Sequence, residues 1–459
     1  MFYRKVITDL ELWANSAYRK SLILRGARQV GKTTAVRMFA EQFDTFIELN
    51  LEEEADRAIF VSGTDVHKLY NLIKLAKNVV NTGNKVLLFI DEIQYSANAM
   101  LSLRYFYEKM PDLFVIAAGS LLEAYLARQG LEVSVGRIEY LWVYPLDFEE
   151  FLQAQNQQAL LQQISRIPYP DYAIQPLKEQ FTQFCMVGGM PEAVKAWLET
   201  NDIVQVRRIQ AGIIDTYADD IGKYSSSKDQ KDVILHVMKS AYFNICKRIG
   251  FDGFGETAYR SSAVKQAFLL LTQVSLFTLF YPTTAYNLPA LPNFRKKPKL
   301  LAFDLGIVNY VAGIQDKYYS EDKLHSIFKG AAMEQIVGQQ LLNMQHRYSF
   351  TLKYWVRENR SSSAELDYLI EWHNMLIPIE VKSGKTGTMK SLFLFMQESD
   401  SKMAVRIYDG LNKWENVVSS EGKEFMLLHL NLGLVTRIFD YLDAHSNIVK
   451  TVATRKKKK

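Results

Sequence analysis

One segment constrains this chain more than any other. Gly26-Ala27-Arg28-Gln29-Val30-Gly31-Lys32-Thr33 matches G-x-x-x-x-G-K-[ST]. It lies between an apolar run, SLILRGA, and TTAVRMFAEQF, where Val36, Phe39, Ala40 and Phe43 recur at helical spacing. A glycine-rich turn from strand to helix lets backbone wrap an anion without Cβ clashes. Its successive N–H groups and the helix N-terminus point positive dipoles at that anion. The pattern predicts a triphosphate cradle from Gly26 to Thr34, in which Lys32 charges the β- and γ-phosphates and Thr33 offers its hydroxyl to Mg²⁺.

Such a cradle requires a second half on a buried strand tipped with acids, and Val86-Leu87-Leu88-Phe89-Ile90-Asp91-Glu92 supplies it. Asp91 is expected to hold magnesium through water, and Glu92 to polarise a water for attack on the γ-phosphate. Ser120, ending LFVIAAGS, is either a γ-phosphate contact or a turn serine. Arg137, after Gly136, is either a γ-phosphate sensor or finger, acting within the chain or on a neighbour, or one half of a surface salt bridge.

Around these motifs the first 150 residues alternate β-rich runs (SLILRGA, FIELNL, KVLLFIDE, LFVIAAGS) with amphipathic segments, as an α/β chain with a parallel sheet does. Asp147 to Tyr224 reads as mostly helical, broken at Gly188-Gly189-Met190-Pro191. From Lys231 to Ala312, three helix-like segments precede two strand-like runs, LFTLFYPTT and KLLAFDL. The Pro- and Lys-rich NLPALPNFRKKP bridges those runs, an order that suggests a winged helix with a basic wing. The remainder is α+β: a helix over 330–344, strands LKYWVREN, AELDYLIEW and MLIPIEVKSG, a helix over 389–398, and strand AVRIYD.

Composition sets the outer bounds. A chain of 459 residues with 48% hydrophobic and 23% charged residues folds into several packed units and is neither disordered nor fibrous. Two cysteines cannot form a disulfide framework and the N-terminus carries no signal-peptide core, so a cytoplasmic protein is expected. The longest apolar stretch, 267–281, falls short of the roughly 18 residues a membrane span needs. The net charge of +5 is accounted for by the last five residues, Arg455 and Lys456 to Lys459, a basic tail of 455–459. Nucleic-acid affinity in the neutral body would therefore need local patches such as Arg295, Lys296, Lys297 and Lys299.

The ordered set GARQVGKTT (26–34), IDEIQ (90–94), Gly136-Arg137, YPLDFEEF (144–151), GGMPE (188–192), AFDLG (302–306), ELDYLI and PIEVKSG resembles bacterial and archaeal AAA-type ATPases with a C-terminal domain of unknown function. The family's AFDTG stands here as AFDLG. The resemblance implies a P-loop ATPase core of the additional-strand, catalytic-glutamate type over 1–146, and the helical pattern that follows fits a lid or connector over 147–224. The resemblance further implies a winged-helix-like region over 225–318 and a restriction-endonuclease-like α/β domain over 319–454.

Nucleases of that last class gather a helical acid, a strand acid and an E-x-K around divalent cations, and Glu334, Asp367, Glu380 and Lys382 match that set. Strand alternation sends Glu380 and Lys382 to one face, and a two-residue turn at His373-Asn374 places Asp367 opposite Glu380. Facing carboxylates need a cation between them. The expectation is magnesium on Asp367, Glu380 and the Val381 carbonyl, with Glu334 reaching in and Lys382 handling the attacking water. The alternative is a solvated face on which Lys382 balances the acids. Pro378 argues against a fully central position for this strand.

Three functions compete. The first is an ATP- and Mg²⁺-dependent ATPase coupled to a nuclease-like domain that engages DNA or another nucleic acid. The second is a nucleotide-dependent switch or scaffold acting through protein contacts, with homo-oligomers or a protein partner and no membrane. The third, a metabolic kinase, lacks any small-substrate motif.

Overall fold

The computed structural model describes residues 2–80, 83–119, 122, 136–225, 227–315, 330–359, 362–382 and 389–445. Ser120 and the basic tail lie outside them. The chain divides into two compact units: Met1–Pro145 with Leu269–Leu276, and Leu146–Phe268 with Phe277–Lys459. No described helix is long and apolar enough to cross a membrane.

In the first unit, β1 (Ser21–Arg25) runs into α1 (Lys32–Ala40), followed by β2 (Thr45–Asn50), β3 (Val86–Asp91), β4 (Phe114–Ala118) and β5 (Ile138–Trp142). They form one sheet in the order β2-β3-β4-β1-β5, with every pair parallel. β4 is thus an additional strand between the P-loop strand and the acid-tipped strand. β3 is buried from Val86 to Ile90, as a central parallel strand covered on both faces must be. Ile23, Ile47, Leu88, Ile90 and Ala117 pack with Leu103 and Phe106 of the helix Ala97–Lys109. The helix after the P-loop stops at Ala40, short of Phe43, whose ring packs edge-on against Phe39 at 5.2 Å.

In the second unit, helices Phe148–Ala154, Gln158–Ile164, Ile174–Val187, Pro191–Thr200 and Ile203–Tyr224 fill the expected helical stretch, broken at Gly188-Gly189. β6 (Phe277–Phe280) and β8 (Lys299–Ala302) pair antiparallel, and the helix Lys228–Ala241 and a short 3₁₀ turn precede them in the chain. Between them, β7 (Pro282–Thr283) joins a seven-stranded sheet of order β13-β14-β12-β11-β10-β9-β7. Its strands are β9 (Lys353–Asn359), β10 (Ser362–Trp372), β11 (Met375–Lys382), β12 (Met403–Tyr408), β13 (Lys413–Val418) and β14 (Glu424–Asn431).

His373 and Asn374 both have positive φ, the conformation a two-residue hairpin demands, and Tyr368 pairs with Ile379. Contrary to the expectation for Pro378, β11 is central. Pairing with β12 begins only at Ile379, one residue past the proline that lacks a donor.

Candidate functional site

The phosphate loop is shaped by three residues in the left-handed half of backbone space: Gly26 (φ 136), Gln29 (φ 61) and Gly31 (φ 91). At Gly26 the backbone passes so close to β5's exit that a Cβ would lie 2.1 Å from the Val143 carbonyl oxygen. Gly26→Ala should therefore deform the loop, at a cost of about 1–3 kcal/mol, and abolish any thermal shift on adding ATP; a melting curve with and without nucleotide checks this. Gly31 caps the helix after the loop with no side-chain bond, which leaves the first helical N–H groups available to an anion.

Lys32 is buried, and its Nζ donates to the carbonyls of Gly26 (3.1 Å) and Ala27 (2.8 Å). Burial lowers its pKa to about 8, against the raising pull of Glu92 and Asp91. An ammonium held this way is suited to a strong anion. Thr33 Oγ1 donates to Asp91 Oδ2 at 2.6 Å, so the hydroxyl and carboxylate expected at magnesium are already side by side. Burial pushes the Asp91 carboxyl up, with the Thr33 bond opposing. These groups fit a triphosphate with its metal: an anion cradle, a buried cation and a hydroxyl–carboxylate pair.

Glu92 follows at φ 50, its N–H donating to Asp91 Oδ1. Gln94 Nε2 donates to Glu92 Oε2 at 2.5 Å. Arg4, which the sequence reading missed, is buried and ties the site together, donating to the Val30 carbonyl at 2.7 Å and the Tyr144 carbonyl at 2.6 Å. No motif surrounds it, so no sequence signal pointed to it.

Arg137 requires a correction as a sensor within its own chain. Ile138, the next residue, pairs with Ser21 at the start of β1, whereas the phosphate loop leaves the other end of that strand, about 16 Å away. Arg137 instead donates from Nε to Glu108 Oε1 at 2.8 Å.

The second constellation, Glu334, Asp367, Glu380 and Lys382, comes together around a different cation. Lys299, only 2% exposed, places Nζ 2.5 Å from Glu334 Oε1, 2.7 Å from Glu365 Oε1 and 3.8 Å from Asp367 Oδ1. Lys382 Nζ sits 2.5 Å from Glu380 Oε1, and the Val381 N–H donates to Asp367 Oδ2 at 2.8 Å. Burial works against charge on Lys299, but Glu334, Asp367 and Glu365 more than reverse this and hold it above the ordinary lysine value. Burial, then the Asp367 charge, raises Glu334 to about 8 and Glu380 to about 7; burial also raises Asp367.

Among the described residues no group of three His, Cys, Asp or Glu side chains is disposed to hold a metal. At the acids expected to hold a metal, Glu334, Asp367 and Glu380, lysines supply counter-charge: Lys299 beside Glu334 and Asp367, and Lys382 beside Glu380. Lys299 was read as part of a basic surface run, yet it opens the apolar strand KLLA, which was the available sign of burial. One other member of that patch, Lys296, is also engaged, as is Arg248 from outside it. Lys296 pairs with Glu358, and Arg248 pairs with both Glu358 and Glu365.

Residues 18–152 match a family model described as AAA domain. Residues 178–318 and 329–423 match two models described as Domain of unknown function (DUF8612) and Domain of unknown function (DUF4143). No curated protein matches the chain. Among solved structures, the Walker-type ATPase PABY2304 of Pyrococcus abyssi is 14% identical with a TM-score of 0.44, covering 68% of this chain and 96% of that one. The ORC2 protein of Aeropyrum pernix in its ADPNP-ADP complexes is 11% identical, TM-score 0.34, over 69% and 95%. The ORC1 protein of the same organism, in complex with DNA, is 13% identical, TM-score 0.30, over 69% and 92%. These likenesses are distant, and the assignment rests on the match at 18–152 together with the loop and sheet: the N-terminal part of the chain is an AAA-type P-loop domain.

Proposed function

We propose that the chain is a magnesium-dependent ATPase working as a nucleotide-controlled switch, with its second unit a binding module rather than a metal-dependent nuclease. The observation that carries the ATPase half is the Thr33–Asp91 hydrogen bond beside buried Lys32, with Glu92 one residue on. Gly26 to Thr34 and Lys32 would hold the phosphates, and Thr33 and Asp91 the magnesium, which when bound neutralises charge on the phosphate oxygens. Glu92 is the general base in this scheme, accepting a proton from the attacking water.

Support for the binding role comes from Lys299. With Glu334, Glu365 and Asp367 grouped on one buried ammonium and Glu380 on Lys382, the nuclease-like acids already have their cations. The engaged state of Lys296 and Arg248 favours a protein partner over a polyanion.

The test compares the parent with Glu92→Gln. Turnover should fall about 10²–10⁴-fold while ATP binding stays at the parental level. Neither single- nor double-stranded DNA should be cleaved with Mg²⁺ or Mn²⁺ present. Cleavage that disappears in Asp367→Ala would reinstate the nuclease.

A further inference from the structure

The backbone of Glu92 is pinned on both sides. Its N–H donates to Asp91 Oδ1 at 2.9 Å, and its carbonyl accepts from the Tyr95 N–H at 3.1 Å. A left-handed φ of 50 at a non-glycine residue persists only where neighbours impose it. Those bonds leave the side-chain torsions undetermined, and the partner of the carboxylate is Gln94, 3% exposed, with Nε2 2.5 Å from Glu92 Oε2. An ionised carboxylate only accepts hydrogen bonds, so the amide must turn its NH₂ toward Glu92.

The other end of the same amide is then committed too. Gln94 Oε1 is buried with no hydrogen-bond partner, and it lies against Gly119, next after β4, where a Cβ would sit 2.4 Å from it. Gly119 thus leaves the room in which Gln94 turns. The amide spans from the C-terminal end of the additional strand to the carboxylate.

We propose that Gln94 is the positioning residue for Glu92. Its amide fixes one carboxylate oxygen and leaves the other directed for the attacking water. This rests on the ATPase reading above.

The experiment measures ATP turnover and, separately, binding of a fluorescent ATP analogue with Mg²⁺. The chains compared are the parent, Gln94→Leu, Gly119→Ala, Glu92→Gln and the double variant Gln94→Leu/Glu92→Gln. Gln94→Leu should lower kcat about 10- to 100-fold with nucleotide affinity within about twofold of the parent. Gly119→Ala, which crowds the amide without removing it, should lower kcat in the same direction. In the Glu92→Gln background, Gln94→Leu should cost nothing further, because a residue acting through Glu92 has nothing left to position.

Parental kcat in Gln94→Leu would overturn the proposal. So would a kcat loss that tracks lost nucleotide affinity, or an equal further loss in the Glu92→Gln background. A parent that binds ATP without hydrolysing it would overturn the ATPase reading and this one with it, whereas an active parent with an unaffected Gln94→Leu overturns this one alone.

Discussion

Lys299→Met should destabilise the second unit by about 3–5 kcal/mol, the range seen when one partner of a buried ion pair is removed and the other charges stay behind. The ammonium is 2% exposed and sits within 4 Å of Glu334, Glu365 and Asp367, so methionine of similar reach leaves partly buried carboxylates facing one another without their cation. The loss should depend on pH. Glu334 and Glu380 titrate at about 8 and about 7 in the folded chain against an ordinary value of 4.5. A raised folded pKa contributes stability that is complete below the unfolded value and is lost as pH rises through the folded one. Stability of this unit should therefore fall between about pH 4.5 and 8, and the deficit of Lys299→Met should be larger at pH 8.5 than at pH 5.5. Thermal or urea unfolding at both values checks the sign. A variant that melts with the parent at pH 8.5 would mean Lys299 is not the cluster's cation.

Asp304→Ala should cost a comparable amount, about 3–5 kcal/mol, by a different route. The carboxylate is fully buried, accepting from the Gly189 N–H at 2.7 Å and, as N-cap of the helix Leu305–Val311, from the Ile307 N–H at 3.0 Å. Each orphaned buried donor costs about 1–3 kcal/mol and a lost cap about 1. The surroundings cannot collapse into the gap, because Gly188 and Gly306 are already in close contact: a Cβ on Gly188 would lie 2.2 Å from Asp304 Oδ1, and one on Gly306 would lie 2.3 Å from the Val187 carbonyl oxygen. Burial raises the Asp304 pKa to about 6, opposed first by the Gly189 bond. Asp304→Asn keeps one acceptor oxygen and should lose about half as much. Chemical denaturation of the three chains gives the order directly, and equal stabilities would remove Asp304 from its structural role.

These residues also show what could be read from the chain alone. The P-loop and the Asp91-Glu92 strand were legible because their chemistry is local: a turn needing glycines, and an apolar run ending in acids. The hairpin bringing Asp367 toward Glu380 was legible because a two-residue turn fixes register. Insertion of β4 between β1 and β3 was implied by the resemblance alone, since strand order depends on tertiary pairing. Arg137 precedes the strand IEYLW, and ligands of parallel sheets bind beyond the opposite strand ends, so its position was readable and was overlooked. Lys299 was misplaced because a charge in a basic run reads as surface, while the acids that draw it inward lie at 334, 365 and 367, remote in sequence. β13 and β14 went unnoticed. β13 is a largely exposed edge strand without the apolar alternation that marks a half-buried one.

The most direct measurement is equilibrium binding of Mg·ATP by the purified full chain and by Lys32→Ala. The account predicts saturable binding by the parent, weakened about 30- to 100-fold when the buried ammonium is removed. A parent without nucleotide affinity, or a Lys32→Ala chain that binds as tightly as the parent, would contradict it.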